Sequence, residues 1–218
     1  MSFEFRSDCL STRRRFLRNS AALGAGVAFC AGEGASSESG LTIVGPKQGY
    51  SPQIGTLVSE MAFMRDQVLR AAKGLSQKDL DFLLDEKANT IGALLLHLAA
   101  VEAFFQTNTF AGVSADKVPD SFQTKWGVPM ELGEPARKTI KGNGLDYYLD
   151  VLGKTRESTL AEFRKRDDDW LLAVDKSWGW GPTNNYCKWF HVTEHEANHN
   201  GQIKFLKSRL PGAKPASE

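Results

Sequence analysis

Cysteine and histidine are both scarce in this sequence, which has three cysteines and four histidines among 218 residues. Cys9 and Cys30 lie within the first 37 residues, so the rest of the chain contains only Cys187. One cysteine cannot form an internal disulfide, even in an oxidising compartment. The remaining chain of about 180 residues is instead long enough for one domain with its own hydrophobic core.

A strong net charge is also absent. The first 37 residues hold five of the 27 basic and three of the 26 acidic residues, which leaves 22 basic and 23 acidic residues and a net charge of −1. Since nucleic-acid binding depends largely on basic side chains that contact phosphates, we predict no nucleic-acid partner. The sequence also has neither an internal repeat nor the apolar and polar alternation that is typical of strands, which favours a helical fold.

The N-terminal segment is similar to a twin-arginine export signal. Three arginines at positions 13–15 precede Phe16 and Leu17, and a stretch rich in alanine and glycine follows over residues 21–31. This order of charge, apolar residues and small residues is typical of such signals, and a disordered basic tail is the alternative. The stretch is too short for a membrane span, which needs about 20 apolar residues. We therefore predict an export signal over residues 1–37, a periplasmic or extracellular location, and no stable membrane span in the mature chain.

Apolar residues three and four positions apart predict four long amphipathic helices after a linker over residues 38–52. Asn89 or Thr90 is placed to cap the second of these helices, and Thr183 or Asn184 is placed to cap the fourth. The predicted helices extend over residues 53–73, 90–109, 145–166 and 184–210.

The connection between the second and third helices, residues 110–143, is rich in glycine and proline, and we expect it to have little regular structure. Loops of this length inside a compact domain are often functional. A second loop, before the last helix, contains Trp178 and Trp180. Four amphipathic helices with one long crossover are typical of a four-helix bundle. We therefore predict an all-α bundle over residues 53–210, followed by a C-terminal tail over residues 211–218.

The last predicted helix carries His191, His195 and His199. Residues four apart lie on one helix face, one turn apart, which is how a single helix offers two nitrogen ligands to one metal ion. At about 100° per residue, His199 lies at the centre of the apolar stripe, His195 at its edge and His191 at its boundary. Because His191 and His199 are about 12 Å apart along the axis, they cannot easily share one ion. We predict that His195 and His199 are the ligands and that His191 supports the site or the fold.

His97 stands alone in an apolar run of the second helix, next to Ala93 and Ala100 on the same face. A lone buried histidine is often a hydrogen-bonded core residue. Three inward histidines without a metal, however, would bury several polar nitrogens that need partners. We therefore predict that His97, His195 and His199 bind a divalent ion such as zinc or nickel and leave one coordination position open for water or substrate.

Other polar residues near these histidines have weaker signals. Glu102, Glu196 and Gln202 are candidates for orienting the imidazoles or for acting as a base, and the two glutamates are our candidate catalytic residues. The alternative is that all three are ordinary polar residues at a helix edge. Cys187 is about 12 Å of helix rise from His195, so it is a poor fourth ligand.

His195 to His199 also form a literal HExxH motif, which in zinc proteases supplies two ligands and a general base. Such proteases usually take a third ligand downstream, but the only acidic residue after His199 is the terminal Glu218. The longer HExxHxxGxxH form fails because Gly201 comes one residue early. No strand pattern precedes the helix. A metalloprotease is therefore disfavoured.

The runs ANTIGALLLHLAAVEAFF and WFHVTEHEANHNGQIKFLK, which contain these histidines, resemble the DinB-like (YfiT-like) metal-dependent four-helix bundles. The resemblance extends over residues 53–210 and implies that His97, His195 and His199 bind a divalent ion. Members of this superfamily often have arginine before the Gly-Gln pair. Here Asn200 stands there, so an anion contact at this position is not implied.

Some members of this superfamily are transferases or isomerases that use bacillithiol, mycothiol or glutathione, and their metal activates a thiolate. Export argues against a thiol substrate, because these thiols are mainly cytoplasmic. Two hypotheses therefore stay open. The first is a metal-dependent hydrolase or S-transferase that acts on a small molecule. The second is a non-catalytic metal-binding or stress-related bundle protein, which forms a homodimer through its helix faces.

Overall fold

The computed structural model describes residues 40–214, so the predicted export signal lies outside the described residues, as do residues 38–39 and 215–218. The described chain is an all-α bundle, which confirms the predicted fold class. Its α-helices are α1 (Pro52–Ala72), α2 (Gln77–Leu80), α3 (Ile91–Phe105), α4 (Asp120–Glu131), α5 (Gly133–Thr139), α6 (Leu145–Phe163), α7 (Asp168–Leu172) and α8 (Asn185–Lys207).

The two helices that carry the histidines begin where their capping residues predict. The Thr90 hydroxyl accepts a hydrogen bond from the Ala93 amide at 3.1 Å and so caps α3. The Asn184 side chain accepts one from the Cys187 amide at 2.8 Å and so caps α8. These bonds satisfy backbone amides that have no partner within the first helical turn. Local sequence therefore determines where the two histidine-bearing helices start.

Helix α3 is the central element of the bundle and packs against α4, α6 and α8, while α1 packs against α8. A π-helical turn, Gln106–Phe110, continues α3 beyond Phe105. Within residues 40–214, Ile91–Phe110 is the one helix long and apolar enough to cross a membrane by length and composition alone. Because 83% of its most apolar window is buried inside the protein, its apolar character is explained by its place in the core.

The connection between α3 and α6 is long, but our expectation that it has little regular structure was wrong. It contains α4 and α5, together with a 3-10 turn at Ala115–Lys117. Phe122, Trp126 and Pro129 are buried on one face of α4, at the three- and four-residue spacing of an amphipathic helix. Glycine and proline in this segment concealed that pattern.

The structure also contains two very short strands that were not predicted. β1 (Val174–Asp175) and β2 (Thr183–Asn184) are antiparallel, with Val174 opposite Asn184 and Asp175 opposite Thr183. Our statement that no strand precedes the last helix was therefore wrong. Strands of two residues are too short to show an alternating pattern in the sequence. They close the base of the loop that carries Trp178 and Trp180.

Candidate metal centre

Three imidazoles meet inside the bundle, one from α3 and two from α8. His97, His195 and His199 each offer one ring nitrogen, and these nitrogens lie within 4.8 Å of one another. The Nε2 atoms of His97 and His195 are 2.9 Å apart. Two nitrogens bound to one zinc ion at about 2.1 Å are at most about 4 Å apart. Small side-chain rotations are therefore enough for the three rings to bind one ion.

Hydrogen bonds orient two of the three rings. The Nδ1 atom of His97 lies 2.8 Å from the carbonyl oxygen of Pro129. A carbonyl can only accept, so this nitrogen donates its proton and the lone pair of His97 is on Nε2. The Nδ1 atom of His199 lies 3.0 Å from the side-chain oxygen of Gln202, which leaves Nε2 for coordination in the same way. Gln202, predicted as a candidate for orienting an imidazole, thus contacts a histidine of the cluster.

The environment keeps the rings unprotonated. Burial lowers the pKa of His97 to about 4. Burial, together with the neighbouring imidazoles, lowers the pKa of His195 to about 3. Burial also lowers the pKa of His199. Only a neutral imidazole can bind a metal, so the three rings are in the ligand form at neutral pH.

The arrangement of lone pairs provides a test of whether a cation fits here. The Nε2 lone pair of His97 points at the Nε2 atom of His195, and the ring centroids of His195 and His199 are 4.4 Å apart. Neutral imidazoles whose lone pairs converge repel one another unless a proton or a cation lies between them. A set of three imidazole nitrogens suits zinc, nickel and similar divalent ions. The residues present therefore fit a divalent cation.

The cluster is open on one side to a cavity of about 380 Å³, which His97 and His195 line. A cavity of this size is large enough for a small molecule. Its remaining walls are mainly aromatic and apolar. They include Val101, Phe104, Phe105, Met130, Trp178 and Trp180. Trp180 is 57% exposed, so this wall also forms the rim of the cavity.

His191 lies on the cavity wall rather than within the cluster. Its ring centroid is 5.4 Å from that of His195 and 5.0 Å from that of Trp180. Its Nδ1 atom is paired with a Glu194 carboxylate oxygen at 2.9 Å. This position, one turn from His195 at the boundary of the buried stripe, is the one that the helix geometry predicts. Cys187 is exposed on the first turn of α8.

The two candidate catalytic glutamates lie in a second buried cluster. Glu102 and Glu196 form ion pairs with Arg65 and Arg156, and each of the four long helices contributes one of these residues. We call these four residues the ion-pair cluster. Arg65 is 2.8 Å from Glu102 and 2.6 Å from Glu196, and Arg156 is 2.7 and 2.8 Å from the same carboxylates. Two negative and two positive charges therefore cancel in the core.

The ion-pair cluster also shifts the pKa values of Glu102 and Arg156. Burial alone would raise the pKa of Glu102, but the Arg156 and Arg65 guanidinium groups and a hydrogen bond from Thr159 hold that pKa below its ordinary value. The same carboxylates keep the pKa of Arg156 above its usual range despite burial. A carboxylate stabilised in this way is a weak base. Glu102 is therefore poorly suited to act as a general base, and its contacts with the arginines stabilise the core.

Sequence reasoning missed Arg65 and Arg156, although a signal was present. Arg65 follows Met61 and precedes Val68 on the buried face of α1. Arg156 follows Leu152 by four residues on the buried face of α6. A charged residue inside an apolar helical stripe requires a buried partner, because an unpaired charge in the core is very costly. An arginine on the buried face of an apolar helix therefore predicts a carboxylate partner from another helix.

Comparison with known proteins adds one result. The family model of the mycothiol-S-transferases (MST) matches residues 56–212. No curated protein matches the chain. The matched range contains all three histidines of the cluster, the ion-pair cluster and the residues that line the cavity.

Proposed function

The chain belongs to the mycothiol-S-transferase family, which is a DinB-like family, and on this premise we propose that it is a metal-dependent S-transferase. In the proposed reaction, the sulfur of a low-molecular-weight thiol forms a bond to an electrophilic carbon of a small molecule. The thiol proton is released, and the electrophile loses a leaving group or gains the proton at a double bond. The observation that carries this proposal is the three-histidine cluster at the floor of an open cavity.

The metal site consists of this chain's own imidazoles. His97, His195 and His199 would hold a divalent ion, which, when bound, supplies a Lewis acid that lowers the pKa of a coordinated thiol. With only three protein ligands, the ion would be able to take a thiol or water as a further ligand. His97 and His195 line the cavity, so a thiol in the cavity would have access to the histidine cluster. The Pro129 carbonyl and Gln202 hold His97 and His199 in the required orientation.

The cavity wall supports binding of an apolar electrophile. Phe104, Phe105 and Trp178 pack against one another with ring centroids 5.4 to 6.2 Å apart, and they give the cavity an aromatic wall next to the histidines. Large aromatic side chains bind apolar groups through buried area and ring contacts. The open cavity also favours catalysis over the non-catalytic alternative, because a purely structural ion is normally enclosed by four protein ligands.

The identity of the thiol is linked to where the protein acts. The export signal over residues 1–37 remains a prediction, and a periplasmic or extracellular enzyme would have less access to cytoplasmic thiols. The family name suggests mycothiol. The activity test should therefore compare mycothiol with glutathione and cysteine at equal concentrations.

The test measures metal content and turnover on the same purified protein. We expect about one divalent ion per chain, thioether formation from a fluorogenic haloalkyl electrophile, loss of turnover with a chelator, and recovery with zinc or nickel. The His97→Ala variant should lose both the metal and the turnover, whereas the matched His191→Ala variant should retain the metal. Metal-loaded protein that gives no thioether with any of the thiols would contradict the proposal. Unchanged metal in His97→Ala would remove His97 from the site.

A further inference from the structure

The carbonyl group that orients His97 belongs to a helix end with an unusual hydrogen-bond arrangement. In a continuing α-helix, the Pro129 carbonyl would accept from the amide four residues later, which is that of Gly133. The Gly133 amide instead donates to the side-chain oxygen of Asn89 at 3.1 Å. The Pro129 carbonyl instead accepts from His97 Nδ1 at 2.8 Å.

The backbone between these two residues is strained. Leu132 has φ 59° and ψ −145°, and it is the one non-glycine residue with positive φ within residues 40–214. A side chain with a Cβ atom rarely adopts this conformation because of steric clashes. Strained residues persist only where their surroundings hold them, and they concentrate at functional sites. Here the turn at Leu132 ends α4, directs the Gly133 amide away from Pro129 and begins α5.

Asn89 is well placed to connect the turn between α4 and α5 with the metal centre. It directly precedes Thr90, the N-cap of α3, which is the helix that carries His97. The end of α4 also contributes Met130 to the cavity wall. One side chain at the start of α3 thus holds the end of α4, and the end of α4 in turn holds a ring farther along α3.

We propose that Asn89 is a positioning residue for the metal centre. By binding the Gly133 amide, it holds the Leu132 turn in place, and this turn aims the Pro129 carbonyl at His97 Nδ1, which keeps His97 as the Nδ1–H tautomer with Nε2 directed at His195 and His199. This inference rests on the proposed metal site, but the tautomer of His97 is a property of the metal-free protein and can be measured without an ion. Hydrogen-bond partners of metal-ligating histidines typically change metal affinity by about 10- to 100-fold when they are removed.

The first measurement is the imidazole nitrogen NMR spectrum of the metal-free protein. We expect His97 to be the Nδ1–H tautomer in the wild type and a mixture of both tautomers in Asn89→Ala. Asn89→Gln, which moves the acceptor oxygen by one methylene, should give the same mixture and serves as a second variant. Asn89→Asp keeps an acceptor oxygen at the same distance from the backbone, and we expect it to restore the wild-type spectrum.

The second measurement is zinc affinity by competition with a chromophoric chelator. We expect affinity to fall by about 10- to 100-fold in Asn89→Ala and to stay close to wild type in Asn89→Asp. Asp79→Ala is the matched stability control, because it removes the capping box of α2, where Asp79 accepts from Ser76 at 2.7 and 2.8 Å. That variant should lose stability without losing zinc affinity.

Two results would overturn the inference. One is a His97 tautomer and a zinc affinity in Asn89→Ala and Asn89→Gln that match the wild type. The other is an equal loss of affinity in Asn89→Ala and Asp79→Ala, which would reduce the effect to general destabilisation. A wild-type protein that binds no zinc would instead reject the proposed function, and the tautomer comparison would still decide the role of Asn89.

Discussion

Two polar clusters lie side by side in the core of this bundle, and they differ in how their polar atoms are satisfied. In the ion-pair cluster, the four charges cancel and the guanidinium groups are paired with carboxylates or backbone carbonyls. In the histidine cluster, three ring nitrogens lie within 4.8 Å of one another beside a cavity. Every charged group of the first arrangement has an oppositely charged partner, and Glu196 Oε2 is its one buried oxygen without a hydrogen-bond partner among the described residues. The second presents three ring nitrogens that could hold a divalent cation, so the two clusters differ in what they have left to bind.

The sequence places members of both clusters next to each other. Glu196 directly follows His195 on α8, and Glu102 lies five residues after His97 on α3. Residues one and five positions apart on a helix point about 100° and about 140° apart, so one member of each pair faces the cavity side and the other faces the arginines. The literal HExxH motif therefore combines two unrelated clusters. Its glutamate is 1% exposed and paired with Arg65 and Arg156.

The largest effect should come from breaking the ion-pair cluster. Glu102→Gln keeps the shape of the side chain but leaves the two arginines with one carboxylate. We expect a loss of about 3–5 kcal/mol in the free energy of unfolding, because removing one partner leaves an uncompensated buried charge. Urea denaturation at pH 7 measures this loss.

The matched control for that experiment is Asp150→Asn, which removes an exposed i,i+4 pair with Lys154. Exposed pairs of this kind contribute little because water screens the two charges. Similar small losses in Glu102→Gln and Asp150→Asn would show that the ion-pair cluster contributes no more than a surface pair does.

The histidine cluster and the ion-pair cluster should lose their contributions to stability at different pH values. The pKa of His97 falls to about 4 and that of His195 to about 3 in the folded protein, from an ordinary value of 6.5. Between pH 6.5 and pH 4, the unfolded chain binds more protons than the folded protein does. The free energy of unfolding of the metal-free protein should therefore fall as pH drops from 6.5 to 4. Each unit of pKa shift corresponds to about 1.4 kcal/mol, so the loss attributable to His97 is on the order of 3 kcal/mol. The folded pKa of Glu102 lies below its ordinary value, so the stability it contributes is lost only at lower pH.

Urea denaturation of the metal-free protein at pH 7, 5.5 and 4.5 would check this order. The His97→Ala variant should show a shallower decline over the same range, because one of the protonating groups is gone. A decline of equal steepness in both proteins would mean that His97 does not account for the pH dependence.

The smallest effect that we expect is the stability that a bound metal adds. A cation that binds only the folded state stabilises it by about 2.7 kcal/mol at a free concentration 100 times its Kd. Thermal unfolding with and without zinc should show this gain in the wild type and none in His195→Ala. His191→Ala should keep the gain, since its ring lies outside the cluster. A zinc-dependent shift that survives in His195→Ala would place the ion elsewhere.

Some parts of the fold were predictable because their causes are local. The caps at Thr90 and Asn184, and the all-α class, follow from side chains close in sequence to the backbone groups that they affect. Helices α4 and α5 were missed because burial of Phe122 and Trp126 depends on a surface that other helices provide. Glycine and proline dominated the local pattern there, and packing against the core overrode it.

The sequence by itself determined that His195 and His199 share one face of a helix and that His97 points inward, because helical periodicity is a property of the chain alone. Only the tertiary structure decided which groups those rings meet. The Pro129 carbonyl is 32 residues from His97, and the arginines that neutralise Glu102 and Glu196 come from two other helices. Contacts between distant segments depend on how the helices pack, and packing is set by the whole core rather than by any local pattern.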